Sequence, residues 1–296
     1  MISMNDALTN NCFWLIYDKA SSEKNKAYIG FYAEEAEKLG LKMKLLLLED
    51  MDFGVNNGVH YLAHKGEIQQ NPLFAIVRVI YPLINKQLEY MGIPVFNNSQ
   101  ISLICNDKAR TYQYVSDLGI KTVDTCYCKN YLLETKLNRI KGEAVIKAVD
   151  GHGGSQVLLY KEGDDIEAVK NIMGASDVVI QPLTGSRHQD LRVYIIGKTV
   201  IAAVLRTAVG GFKANFSLGG DVRLYELNET EKETVNTIIN AFDFGMVGID
   251  FIIGDEGELI FNEIEDVVGA RMLYKCADIN LVKMYLEYIL EKVRTI

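Results

Sequence analysis

The chain has 296 residues, 49% of them hydrophobic and 24% charged, which excludes a disordered or fibrous protein and leaves ample material for a core. A net charge of -8 gives no basic stripe for neutralising phosphates, so no nucleic-acid partner is expected. Apolar runs such as Leu45 to Leu48 are too short to span a bilayer, and residues 1–11 have no apolar core like that of a signal peptide; no membrane partner and a cytoplasmic location are expected.

Phe13 to Tyr17 reads as a buried strand ending at Asp18. Ala27 to Leu39 shows helical spacing stopped by Gly40, and Lys42 to Leu48 makes the next strand. Phe74 to Val79 is a further strand, Ile84 to Met91 a short helix closed by Gly92, and Pro94-Val95-Phe96 returns to the sheet. Strands alternating with helices imply parallel βαβ units. The turn after the first strand lacks G-x-G-x-x-G, so a dinucleotide reading has little support. Asn106 to Leu118 reads as a helix with Asn106 as its N-cap. Ala144 to Ala148, a glycine-rich turn and Val157 to Tyr160 form a strand–loop–strand unit, followed by a helix over Asp164–Met173 and a short strand, Val178 to Ile180.

From Arg192 onward the pattern changes to long, antiparallel-looking strands over 192–196, 199–206, 248–253 and 258–264, with helices over Glu229–Phe242 and Asn280–Val293. The expected fold is α/β and α+β: an N-terminal parallel α/β domain (1–104), a small central α+β domain (105–185) and a C-terminal α+β domain (186–296). Five scattered cysteines suit a reducing compartment. Cys126 and Cys128 are separated by one residue, with no second Cys/His pair at zinc-site spacing, so they read as alternate residues of a strand.

Three clusters carry candidate chemistry. In the first, Lys147 ends a strand and Gly151-His152-Gly153-Gly154-Ser155-Gln156 follows. Glycines let backbone N–H groups approach phosphate oxygens and the lysine adds a point charge; a glycine-rich surface hairpin is the alternative, and the spacing is not that of a P-loop. In the second, Glu263 and Glu265 lie on one face of a strand, because side chains alternate with a period of two. With Asp250 on a neighbouring strand, three carboxylates would converge as oxygen ligands suited to magnesium; a solvated acidic strand end is the alternative. The third comprises Asp190, Arg192, Arg206, Lys213 and Asn215. Cationic and amide side chains near phosphate would stabilise a transferring phosphoryl group, and a structural ion pair of an arginine with Asp190 or Glu265 competes with that reading.

In this order the clusters resemble the ATP-grasp superfamily, and most closely its ribosomal-protein glutamate ligase (RimK-like) branch. The similarity covers essentially the whole chain, most tightly 106–269. It implies nucleotide-binding roles for Lys108 and Lys147, a flexible loop over the phosphates at Gly151 to Gln156, and an adenine-contacting hinge at Gln181-Pro182-Leu183. It further implies a nucleotide-contacting acid at Asp190 and phosphate- or substrate-facing positions at Arg192, Arg206 and Asn215, with Lys213 beside them. The implied metal ligands are Asp250, Glu263 and Glu265, and the implied cofactors are ATP and Mg2+ or Mn2+. Three positions depart from the pattern. Gln181 replaces a more usual glutamate, Glu265 replaces the asparagine of E-x-N, and Asp266-Val267-Val268-Gly269 replaces small residues and a proline before the glycine. The last departure borders the acceptor site and leaves the substrate open.

The implied reaction is ATP-dependent ligation of a small-molecule or peptide carboxylate to an amine, such as an amino acid, through an acyl phosphate. A small-molecule kinase on the same scaffold and a catalytically silent ATP-binding regulatory protein are the alternatives. Arg78, on a strand near the cleft, is a substrate-binding candidate. His152 sits in the loop and reads as a phosphate contact or a bystander, not as a base. A homo-oligomer is compatible with the family.

Overall fold

The run Phe13–Tyr17 is buried throughout, as a central strand covered on both faces must be. In a computed structural model describing residues 11–186, 188–207 and 221–295, it lies in β1 (Cys12–Tyr17). This strand pairs in parallel with β2 (Lys42–Leu47) and β6 (Phe74–Val77), and β7 (Val95–Phe96) completes the order β2-β1-β6-β7. Helices Lys19–Lys24, Lys26–Lys38 and Pro82–Tyr90 supply the crossovers and cover. An antiparallel sheet of β3 (Met51–Asn56), β4 (Val59–His64) and β5 (Glu67–Ile68) is inserted after β2, where the sequence reading had no element. Its turn places Asn57 and Gly58 both at positive φ, the conformation a tight two-residue hairpin needs.

The next sheet is antiparallel, ordered β10-β9-β11-β8, from β8 (Cys126–Cys128), β9 (Glu143–Ala148), β10 (Val157–Lys161) and β11 (Val178–Gln181). Cys126 and Cys128 are thus strand residues, and both are free thiols. One face buries Ala144, Ile146 and Ala148 against Leu133, Leu137, Val169 and Met173 of helices Leu133–Leu137 and Ile166–Met173, forming a core of its own.

The largest sheet is antiparallel, ordered β14-β13-β12-β15-β16: β12 (Gln189–Ile196), β13 (Thr199–Thr207), β14 (Asp221–Tyr225), β15 (Met246–Ile253) and β16 (Leu259–Glu265). Leu191, Val193 and Ile195 alternate to one face, and with Val247, Ile249 and Phe251 they bury helices Ser99–Cys105, Lys108–Asp117 and Glu229–Ala241. Tyr194, Ile196 and Met246 alternate to the other face. There they meet Leu281, Tyr285 and Ile289 of the last helix, Leu281–Val293, and Phe13, Leu15 and Phe74 of the first sheet. Helix Lys108–Asp117 therefore shares the core of the largest sheet.

That helix begins one residue later than expected. Asp107, in extended conformation, is the N-cap and accepts from Arg110 N at 3.0 Å. Asn106 instead closes the preceding helix, and its amide donates to Ser102 O at 2.8 Å and to Asp266 Oδ2 at 3.0 Å. Among the described residues no helix is long and apolar enough to cross a membrane.

Candidate active site

Strand register assembles the charged centre. Asp190 faces Arg206 across β12 and β13, Arg192 faces Asp250 across β12 and β15, and Asp250 faces Glu263 across β15 and β16. Glu265, two residues on, stands opposite Gly248. Alternation then turns these side chains toward one face of the sheet. Arg192 Nε and one terminal nitrogen donate to both oxygens of Asp250, at 2.7 and 2.6 Å, the fork geometry that suits a carboxylate. The other terminal nitrogen reaches Glu265 Oε2 at 2.7 Å. Arg206 donates to Asp250 Oδ2 at 2.7 Å and, through Nε, to Asp190. The result is a continuous chain, Asp190–Arg206–Asp250–Arg192–Glu265. The ion-pair alternative considered for both arginines is thus the arrangement found.

Burial works against the charge on Asp250, but Arg192 and Arg206 outweigh it and hold the carboxyl at about 2. Burial pushes Asp190 up: the pull of Arg206 is partly cancelled by the neighbouring charge of Asp250. Two ionised acids sharing one arginine cannot both be fully compensated.

The opposite wall comes from the four-stranded antiparallel sheet. Lys147 points from β9 across the gap and donates to Asn262 Oδ1 at 2.8 Å. Burial, with Lys108 adding and Glu263 opposing, lowers Lys147 to about 8. Lys108, on the first turn of its helix, donates to Gly151 O at 2.5 Å and lies 3.4 Å from Glu263 Oε2. The two lysines therefore meet adjacent residues of β16, Asn262 and Glu263. Gly153 and Gly154 take φ of 63° and 76°, left-handed values that a branched side chain resists, so the loop between β9 and β10 can turn tightly here. His152 and Ser155 are exposed in that loop, and Ser155 Oγ donates to His152 O at 3.1 Å.

Asn262 is a residue that the sequence reading missed. The β15–β16 pairing shifts between Asp250 and Phe251, so two residues, Asn262 and Glu263, are accommodated where a regular ladder would take one. A cue was present: Phe261 and Ile264 both belong to the same core, yet three residues apart they cannot share a face of a regular strand.

A cleft of about 920 Å³, open to solvent, lies between these walls. Lys108, Lys147, Gly151, Gly153, Gly154, Gln181, Pro182, Leu183, Asp190 and Glu263 all line it. The Gln181 side-chain amide donates to Thr125 Oγ1 at 2.8 Å, and Gln181, Pro182 and Leu183 together line the cleft. A second cleft of about 1040 Å³ adjoins the first through Lys108, Gly153 and Glu263, and is lined further by Asp18, Arg78, His152 and Glu265. Arg192 and Arg206 are buried in the carboxylate chain and line neither cleft. Lys213 and Asn215 lie outside the described residues.

The donor set fits a hard divalent cation. Asp250, Glu263 and Glu265 each offer a carboxylate oxygen, and these atoms all lie within 4.8 Å of one another. Oxygen-only ligation is the chemistry magnesium prefers. In the arrangement found, arginines neutralise two of the three acids and Lys108 stands beside the third.

Comparison with known proteins identifies the family and the fold. The RimK-like ATP-grasp domain matches residues 105–289. An uncharacterized protein of Mycoplasma genitalium is 28% identical over 288 residues, covering 96% of this chain and 94% of that protein. A probable alpha-L-glutamate ligase of Legionella pneumophila is 29% identical over 217 residues, covering 71% of this chain and 72% of the ligase. Among solved structures, the ATP-grasp ligase PsnB, complexed with a phosphomimetic variant of a minimal precursor, Mg and ADP, superposes with a TM-score of 0.66. Its identity is 14%, over 94% of this chain and 97% of that one, a likeness of fold.

Proposed function

Because this chain belongs to the RimK-like ATP-grasp family, we propose that it is an ADP-forming ligase that joins a carboxylate to an amine at the two adjoining clefts. The observation that carries the proposal is the meeting of Lys147, from the β8–β11 sheet, and Lys108, from its helix, beside Glu263 of the carboxylate trio in one cleft. A free carboxylate repels an amine's lone pair. In the proposed reaction its oxygen attacks the γ-phosphorus of ATP, the bond to the bridging oxygen breaks, and ADP leaves. The amine nitrogen then attacks the acyl carbon, the bond to the phosphate oxygen breaks, and phosphate departs while a nitrogen proton passes to water. The product is an amide.

In this proposal Lys108 and Lys147 hold the α- and β-phosphates as point charges, and the N–H groups of Gly151 to Ser155 close over them to exclude water. The backbone of Gln181, Pro182 and Leu183 contacts adenine, with Asp190 near the nucleotide. Asp250, Glu263 and Glu265 would hold Mg2+ or Mn2+, which supplies charge neutralisation at the phosphates. Arg206 serves the transferring group with the guanidinium donors not taken by Asp190 and Asp250, and Asn215 and Lys213 are assigned beside it from the family resemblance. Arg192 and Arg78 are placed on the substrate side. The proposal includes the division at 104/105 and 185/186, with the β8–β11 sheet and its two helices acting as a lid; their separate core supports independent movement, whereas helix Lys108–Asp117 stays with the largest sheet.

The test is a coupled assay of ADP release over pairs of amino acids, short peptides and simple acids. ADP release that requires both an acid and an amine is expected. Release with a hydroxyl compound and no amine would instead make the chain a kinase, and tight ATP binding without turnover on any pair would make it a silent nucleotide-binding protein.

A further inference from the structure

The second cleft contains a buried cation, Arg78, placed on the substrate side with no stated ligand. Arg78 is 7% exposed and lines the cleft together with Asp18, Glu265 and Asp266. Its Nε donates to the Tyr17 hydroxyl at 3.3 Å, one terminal nitrogen donates to Val268 O at 2.9 Å, and the guanidinium carbon stands 5.5 Å from the centre of the Tyr28 ring. These contacts fix the plane of the group but supply no negative charge. Arg192 and Arg206 each have two carboxylate partners, whereas among the described residues Arg78 has none. A guanidinium has five N–H donors, and only two are engaged by these hydrogen bonds. A buried charge with no carboxylate bonded to it is costly, and Asp266, which feels Arg78 only at longer range, is already held by Asn97 and Asn106, so the guanidinium is left to accept an anion.

Its place in the fold points the same way. Arg78 directly follows β6 and Asp18 directly follows β1, which are neighbouring parallel strands, and Arg78 N donates to Ile16 O at 2.8 Å. Crevices at the carboxyl ends of parallel strands are where ligands bind in such sheets. Resting on the ligase reading, we infer that Arg78 binds a substrate carboxylate that the reaction does not consume. The substrate is therefore either an amino acid serving as the amine or a dicarboxylic acid serving as the electrophile, and in both cases a planar carboxylate completes the guanidinium fork. The carboxylate to be phosphorylated belongs on the nucleotide side, at Glu263 and Lys108, which the two clefts share.

The experiment is calorimetric titration of the ADP- and Mg2+-loaded protein with L-glutamate, L-aspartate, L-alanine, succinate and glutarate, and with the α-amide or monoamide of each. At least one carboxylate should bind, and its amide should bind roughly tenfold to hundredfold more weakly, the usual range for losing a hydrogen bond to a charged group. Binding by amino acids alone identifies the amine as the held substrate, and binding by dicarboxylates alone identifies the acid. Arg78→Met should abolish the preference for the carboxylate, with ADP affinity unchanged. Arg78→Lys should keep part of it, and answers the question if Arg78→Met does not fold. The inference is overturned if acid and amide bind alike, if Arg78→Met keeps the preference, or if no compound binds a protein that binds ADP. Failure to bind ADP overturns the underlying reading instead.

Discussion

Replacing Asp250 by asparagine separates the structural role of the charged centre from its proposed catalytic one. Asp250 is 1% exposed and accepts three hydrogen bonds from Arg192 and Arg206, at 2.6 to 2.7 Å. Charge-assisted bonds contribute about 1.5–3 kcal/mol each, and removing one member of a buried pair typically costs about 3–5 kcal/mol. Two features reduce the loss here. Arg192 keeps Glu265 and Arg206 keeps Asp190, so neither cation is orphaned, and asparagine retains one acceptor oxygen. Its NH2 group, however, must face an arginine donor. The expected destabilisation is about 2–4 kcal/mol, a large share of the roughly 5–15 kcal/mol available to a folded chain. Denaturant unfolding followed by fluorescence and circular dichroism measures it. A variant as stable as the parent, within about 0.5 kcal/mol, would show that this chain of ion pairs does not hold the sheet together and would refute the estimate.

Glu263→Gln should behave in the opposite way. Glu263 is half-buried and its cation, Lys108, stands at 3.4 Å, so stability should change by less than about 1 kcal/mol while ADP release is lost; unchanged turnover would remove Glu263 from the metal set. Lys147 is held down to about 8, below the free lysine value, so its positive charge is present at pH 7 and is lost as pH rises through 8. ADP affinity in the parent should therefore fall above pH 8, by at most about tenfold per pH unit, and Lys147→Met should bind ADP weakly with a flat profile, as calorimetry across pH would reveal. Asn262→Leu removes the acceptor that orients Lys147 and should weaken ADP binding about fivefold, the value of one ordinary hydrogen bond; unaltered affinity would make Asn262 a bystander.

The sequence was informative wherever a short period or a local rule determined the outcome. Glu263 and Glu265 share a face because of two-residue alternation, and Lys147 followed by glycines marked a strand running into a turn. The pairing of Arg192 with Asp250 depends on the register of strands 58 residues apart, which no local pattern fixes. The Asn106–Asp266 contact spans 160 residues and is equally unreadable, although it explains why Asp107 and not Asn106 caps the helix. The hairpin of β3 and β4 carries a local signal, since Asn57-Gly58 between alternating apolar residues is a strong turn marker. Asn262 was half legible, through the spacing of Phe261 and Ile264, but only the partner strand reveals the bulge.

The central claim, that a carboxylate is activated by phosphorylation before the amine attacks, is tested most directly with an acid substrate labelled with 18O in its carboxylate. The phosphate released during amide formation should carry one 18O atom, transferred through the acyl phosphate. Unlabelled phosphate, released together with amide and ADP, would contradict the account.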